Sequence, residues 1–257
     1  MRSIAMAALL LGLAGPAVSA EATGKSDLSV EQILQRHAAA RGGLDAWHKV
    51  QTMAWAGHIE SGNTATAGTT FTMSLRRPDK TRFEISSPSQ KAVHIFDGTH
   101  GWKLRQTASG SPGVQDYGPE ELSFAHDALG MDGPLMDYKA KGVVVTLAGV
   151  EDIEGHKAYR LNLTLPSGAP RHSWIDARTF LEACYDRETQ SAGGKAGKVL
   201  VYYRNYRPFE GLQIPLTIET GAGAGKAADK MVIDRVAVNP PLPDQLFFKP
   251  RAGKAMP

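Results

Sequence analysis

The chain of 257 residues contains a single cysteine, Cys184, so no internal disulfide framework staples it and its stability must come from buried apolar area. It also lacks a long hydrophobic run. The stretch Ile4–Ala14 is too short for the roughly 20 residues that span a bilayer, and no later segment is as apolar. Charge of one sign is missing too: the formal net charge is +3, and basic residues are scattered among acidic ones, which argues against a nucleic-acid footprint. No GxSxG elbow occurs, and the eight histidines form no HxxxH or HxH pair. His94 and His100, on either side of a turn and without a nearby cysteine, make a weak metal pair. Gly221 to Lys226 imitates a phosphate loop, but Thr220 replaces the first glycine and Ala227 the magnesium-binding hydroxyl, so a hairpin turn is expected. The adjacent acids Glu120-Glu121 and Glu151-Asp152 point in different directions on any regular element. Cys184, expected on one strand face with Glu182 and Asp186, gains neighbours that raise a thiol pKa rather than activate it. Neither a catalytic residue, a metal site nor a cofactor is expected.

The first 20 residues have the pattern of an export signal. Arg2 precedes the apolar run, and Val18-Ser19-Ala20 supplies the small-residue cleavage site. Cleavage after Ala20 leaves a mature chain starting at Glu21, with no cysteine there for lipid attachment. An exported, soluble, periplasmic protein is expected, with residues 21–257 forming one domain.

Hydrophobic spacing predicts mainly β structure. Ser29 and Gln32 form a capping box for a first helix whose Val30, Ile33, Leu34 and Ala38 share a face, and Gly42-Gly43 ends it. Leu44 and Trp47 fit a short second helix. From Gln51 the period changes to two: Met53, Trp55 and Ile59, then Phe71, Met73 and Leu75, then Phe83 and Ile85, Val93 and Ile95, Val143, Val145 and Leu147, and Tyr159, Leu161, Leu163 and Leu165. Further strands are expected over 171–176, 180–189, 198–206, 213–219 and 229–238, with turns at Gly193-Gly194 and Gly221 to Gly225, about eleven strands in all. Pro119-Glu120-Glu121 opens another helix carrying Leu122, Phe124, Ala125 and Leu129, stopped by Gly130, and Pro134 to Lys141 reads as one more. These amphipathic pieces need an apolar surface to cover. The expected architecture is a large, curved antiparallel sheet, an open half-barrel with helices over its concave apolar face.

One segment carries a more specific signal. Arg76-Arg77-Pro78 ends a strand, because Pro78 lacks an N–H and biases Arg77 toward extended backbone. KTRFE follows, then Asp97-Gly98 in a two-residue turn, with Trp102 four residues after Gly98. In that order, behind an export signal and an entry helix, these features resemble the LolA-like family of periplasmic lipoprotein carriers. The likeness runs over the mature chain, although its motif-like part is Leu75 to Trp102. ARGGLDAW and GMDGPLMDY look more like an uncharacterised branch of that family.

The resemblance implies an open β-barrel lidded by helices, with the arginine of the Arg-Pro pair, here Arg77, bonded to the lid as its latch. It implies an apolar cavity, which alternation assigns to Met53, Trp55, Phe71, Met73, Leu75, Phe83, Ile85, Tyr159, Leu161 and Leu163. Ile33, Leu34, Phe124, Leu135 and Met136 would form the lid. Trp102 is expected to pack into the sheet. The implied partners are a lipoprotein or lipid cargo, an inner-membrane donor complex and an outer-membrane acceptor, served by a monomer. A lipid-sensing regulatory module of the cell envelope and an enzyme on an apolar substrate are the other readings; the first usually carries a further C-terminal domain, and the second needs a polar pair with matched pKa values inside the cavity.

Overall fold

The computed structural model describes residues 24, 26–60, 68–107, 110–190, 196–221 and 229–250. The expected export signal and the turns at Gly193-Gly194 and beyond Gly221 lie outside them.

Helix α1 (Val30–Ala40) begins as its sequence dictates. Ser29 Oγ accepts from the Gln32 N–H at 3.3 Å, and Gln32 Oε1 accepts from the Ser29 N–H at 2.9 Å, which satisfies two otherwise orphaned donors. Gly42 turns the chain away at φ 110°, and a Cβ there would sit 2.3 Å from the Gly211 carbonyl, so only glycine allows this approach. Helix α2 (Leu44–Lys49) follows directly and buries Trp47.

Thirteen strands make one antiparallel sheet. Six precede the third helix: β1 (Thr52–Glu60), β2 (Thr70–Arg76), β3 (Lys80–Ser86), β4 (Gln90–Phe96), β5 (Gly101–Thr107) and β6 (Gly110–Asp116). After α3 (Pro119–His126) come β7 (Val144–Ile153), β8 (His156–Thr164), β9 (Pro170–Asp176), β10 (Glu182–Gln190), β11 (Ala196–Phe209), β12 (Leu212–Gly221) and β13 (Asp229–Val238). Their order is β6-β5-β4-β3-β2-β1-β13-β12-β11-β10-β9-β8-β7. The first six strands and the last seven are therefore two meanders, zipped together where β1 pairs with β13. The sheet is open, with β6 and β7 at its edges.

β5 and β6 raise the count above the eleven or so expected. β6, GSPGVQD, has one apolar residue and reads as a loop, yet an edge strand tolerates proline and glycine because it pairs on one side only. The expected helix from Pro134 to Lys141 does not form. Residues 131–142 are a run of turns, because Gly133 (φ 75°), Asp137 (φ 52°) and Gly142 (φ 73°) take left-handed backbone that a helix cannot contain.

Helices α1 and α2 and the 127–143 segment cover one face of the sheet. Ile33 and Leu34 of α1 pack with Leu135, Val143, Leu161, Leu163, Leu165 and Ile175. Beside them Trp47 and Val50 pack with Met53, Leu75, Met131, Met136, Leu212 and Ile214. Each such side chain, fully buried, contributes about 1.5–3 kcal/mol. The opposite face has its own cover on the first meander, where residues 240–249 run across β1 to β6. Thr52 Oγ1 donates to the Pro240 carbonyl at 2.7 Å, Arg76 pairs with Asp244, Arg82 Nη1 donates to the Leu246 carbonyl at 3.0 Å, and Lys249 reaches Asp116 at 2.8 Å. Phe247 is wholly buried there.

Candidate functional site: the helix-covered face

Strand register fixes what the covered face presents. Met53 lies opposite Leu75, Trp55 opposite Met73, Met73 opposite Phe83, and Phe71 opposite Ile85, so the apolar residues predicted on β1, β2 and β3 share one surface. Tyr159, Leu161 and Leu163 continue it on β8, where Tyr159 stacks on Phe180 at 5.9 Å.

The surface divides in two. Met53, Leu75, Leu161 and Leu163 are buried beneath the helices and the 127–143 segment together with Ile33, Leu34, Leu135 and Met136. Trp55, Met73, Phe83, Ile85 and Tyr159 are only half-buried, and Phe71, itself buried, meets Phe83 with ring centroids 6.1 Å apart. Phe124 does not belong to the cover: it is 53% exposed, and α3 buries none of its residues. Glu121 of α3 accepts from Lys103, near the start of β5, at 2.8 and 3.0 Å and from the Gly118 N–H at 2.9 Å.

Arg77 joins the sheet to its cover. Its Nε donates to the Val50 carbonyl at 2.8 Å, and its Nη2 donates to the Trp47 carbonyl at 3.0 Å and to Asp132 Oδ2 at 2.8 Å. Asp132 is 4% exposed and also accepts from Lys141 Nζ at 2.6 Å, which in turn donates to the Gly133 carbonyl at 2.7 Å. Burial alone would raise the Asp132 carboxyl, but Lys141 and Arg77 outweigh it and hold the pKa below its ordinary value. One arginine thus ties the end of β2 to the end of α2 and to the turns after α3. Asp132 and Lys141 escape a reading of the sequence, since nothing local marks an acid between Met131 and Gly133 as the partner of a distant arginine.

Two more bonds pin α1. His37 Nδ1 pairs with the Phe180 carbonyl at 2.9 Å, and Arg41 Nε donates to the Gln213 carbonyl at 3.2 Å. His37 is buried, and that burial, with Arg41 nearby, drops its pKa to about 4, so the ring is neutral and donates. Under the cover Ser173 Oγ donates to Glu182 at 2.7 Å, and burial raises the Glu182 pKa. Glu182 was expected on the face of Cys184. A bulge between the two residues turns it to the opposite side, opposite Ile175, while Cys184 lies opposite Trp174. The thiol pKa is indeed raised, but burial is the main cause and the acids are secondary.

Toward the β6 edge the same face turns cationic. Phe83 lies opposite His94, His94 opposite Lys103, and Ile85 opposite Ala92, which lies opposite Arg105. His94, Lys103, Arg105, Ala92, Gly113 and Gln115 line a groove of about 420 Å³. His94 and His100 are not a pair: His94 faces the groove with its ring against Tyr117, whereas His100 is exposed and stacks on Trp102. Burial lowers the His94 pKa and pushes the Tyr117 hydroxyl up to about 12. Trp102 is half-buried on the outer face against Val93, Ile95 and Leu104.

Solved structures share this architecture. A LolA superfamily protein from Nitrosomonas europaea superposes with a TM-score of 0.52 at 15% identity, over 86% of this chain and 98% of that one. A DUF1329 family protein from Desulfovibrio piger gives 0.53 at 12% identity, over 86% and 97%. This is the LolA-like fold. No protein-family model and no curated protein matches the sequence, so the likeness lies in the fold alone. Among the described residues, the covered face gathers the two largest clusters of buried apolar side chains.

Proposed function

We propose that the protein is a periplasmic carrier which shields lipoprotein acyl chains, or another lipid, on the covered face of its sheet for transfer from an inner-membrane donor to an outer-membrane acceptor. The observation that carries this reading is the division of that face: one part is packed under α1, α2 and residues 127–143, and the adjoining part, Trp55, Met73, Phe83 and Ile85, is half-open. An acyl chain of ~16 carbons in water costs roughly 12 kcal/mol, at about 0.8 per methylene, and cannot cross an aqueous space unshielded. Arg77 is the latch, holding the cover down when the face is empty. Loading releases it, and delivery runs to an acceptor of higher affinity, since only differential affinity moves such an equilibrium.

The direct test is isolation from the periplasm without detergent, followed by native mass spectrometry. The expected result is protein with one lipid or acylated polypeptide bound. Empty protein only, even from cells overproducing lipids and lipoproteins, refutes the carrier role.

A further inference from the structure

The half-open apolar patch and the cationic groove are continuous. Across β1 to β5, the paired positions on one face read Trp55, Met73, Phe83, His94 and Lys103. Polarity therefore changes from apolar to cationic along a line perpendicular to the strands. Four inter-strand steps of about 4.8 Å make that line roughly 19 Å long, comparable with an extended long acyl chain.

The two ends of the line are unlike in charge. At the groove, Lys103 is matched by Glu121, but Arg105 is exposed and makes no ion pair or hydrogen bond with any described residue. Arg105 thus leaves a net positive charge facing the groove. At the centre of the sheet, Trp55 and Met73 are uncharged and only half-buried.

We propose that this line is the seat of an acyl lipid with an anionic headgroup, its carboxylate or phosphate on Arg105 in the groove and its chain crossing Phe83 and Met73 toward Trp55. This deepens the carrier reading and rests on it. Charge complementarity selects the headgroup: a neutral lipid leaves Arg105 unmatched, and a cationic one is repelled by it.

The test compares two probes with the same chain, fluorescent parinaric acid and its methyl ester, with pyrene-labelled phosphatidylglycerol and phosphatidylcholine as a second pair. Wild-type protein is expected to bind the acid about tenfold more tightly than the ester, the effect of about 1.4 kcal/mol from one charge contact. Arg105→Gln removes that preference without weakening ester binding, and Arg105→Lys restores it. Circular dichroism confirms that each variant is folded. Preference for phosphatidylglycerol over phosphatidylcholine identifies a phosphate headgroup, and preference within the acid and ester pair alone identifies a carboxylate. Equal binding of charged and neutral probes, unchanged in Arg105→Gln, overturns the headgroup seat while leaving an apolar carrier. If no probe binds, both readings fall.

Discussion

Removing the arginine that joins sheet to cover gives the sharpest test of how this fold opens. In Arg77→Met three bonds vanish: those to the Val50 and Trp47 carbonyls at 2.8 and 3.0 Å, and that to Asp132 at 2.8 Å. The carboxylate bond is worth about 1.5–3 kcal/mol and each carbonyl bond about 1. Two things reduce the sum. Lys141 remains 2.6 Å from Asp132, so the buried carboxylate keeps one partner, and the Arg77 side chain is 23% exposed, so water reaches part of the gap. The net loss is about 3 kcal/mol, roughly a hundredfold rise in local opening. The assay is hydrogen exchange by mass spectrometry or NMR. The amides of Lys141, Gly142 and Val143, which bond to Asp137, Lys139 and Tyr138, should exchange about a hundredfold faster, while amides within the β8–β9 ladder keep their rates. Arg77→Lys should fall between, because an ammonium reaches Asp132 but cannot fork to both carbonyls. If exchange over 141–143 is unchanged, or rises equally in β8 and β9, the latch reasoning is wrong.

Other perturbations follow from the same contacts. His37, with its pKa near 4 against an ordinary 6.5, binds its proton more weakly folded than unfolded. Its contribution is full above pH 6.5 and is lost as pH falls toward 4, on the order of 3 kcal/mol; melting scans against pH should show this slope, and His37→Gln should flatten it. Asp132, whose folded pKa is depressed, gives stability present above an unfolded value of about 3.9 and lost only in stronger acid, so urea midpoints of Asp132→Asn and wild type should converge below about pH 4. Leu161→Ala, at a site with no exposure, should cost about 2–5 kcal/mol in denaturant titration, whereas Phe124→Ser, on the exposed side of α3, should stay within about 0.5. Glu182→Gln should raise the melting temperature near neutral pH, because burial disfavours the ionised carboxyl, with the gain shrinking as pH falls.

Where local chemistry decides an element, the sequence is enough. The Ser29–Gln32 box, the period-two runs of β1, β2 and β8, and the Gly42-Gly43 stop are each settled within a few residues. The failures have non-local causes. β6 owes its existence to an edge position beside β5, which its composition does not announce. The apolar residues Leu135, Met136 and Tyr138 suggest a helix only until the left-handed backbone at Gly133 and Asp137 is known. Strand alternation places Glu182 with Cys184 because a bulge leaves no mark in the spacing. At the candidate site the apolar half was legible through alternation. The cationic half was not, because Lys103 and Arg105 look like an ordinary solvated strand face until register sets them beside Phe83 and Ile85.

The way the cover is attached bears on how such a face can be uncovered without unfolding the sheet. None of α1, α2 or residues 127–143 supplies a strand to the thirteen-stranded ladder, so lifting them breaks no strand pairing. Three of their side-chain ties meet the sheet at turns or strand starts, Arg77 after β2, Phe180 between β9 and β10, and Gln213 at the start of β12, while on the far side of the second meander Asp127 accepts from Ser167 Oγ, between β8 and β9, at 2.7 Å. In an antiparallel sheet of this order those three points lie at the same end of the strands, the end where β1 begins. The half-open residues Trp55, Met73, Phe83 and Ile85 lie on the side away from it, one to three pairs further along. A molecule entering over them, on the first meander, meets the cover at a margin that these three ties leave free. It can wedge toward Trp47 and Met136 while the three ties still hold, and it must break the Arg77 tie before the packed half is exposed. Capacity should therefore rise in two steps, a first site available at once and a second that appears only when Asp132 and Arg77 part. Equilibrium binding of a single-chain lipid should then saturate at a higher ratio in Arg77→Met than in wild type. An identical ratio in both proteins rules out a face divided by the latch.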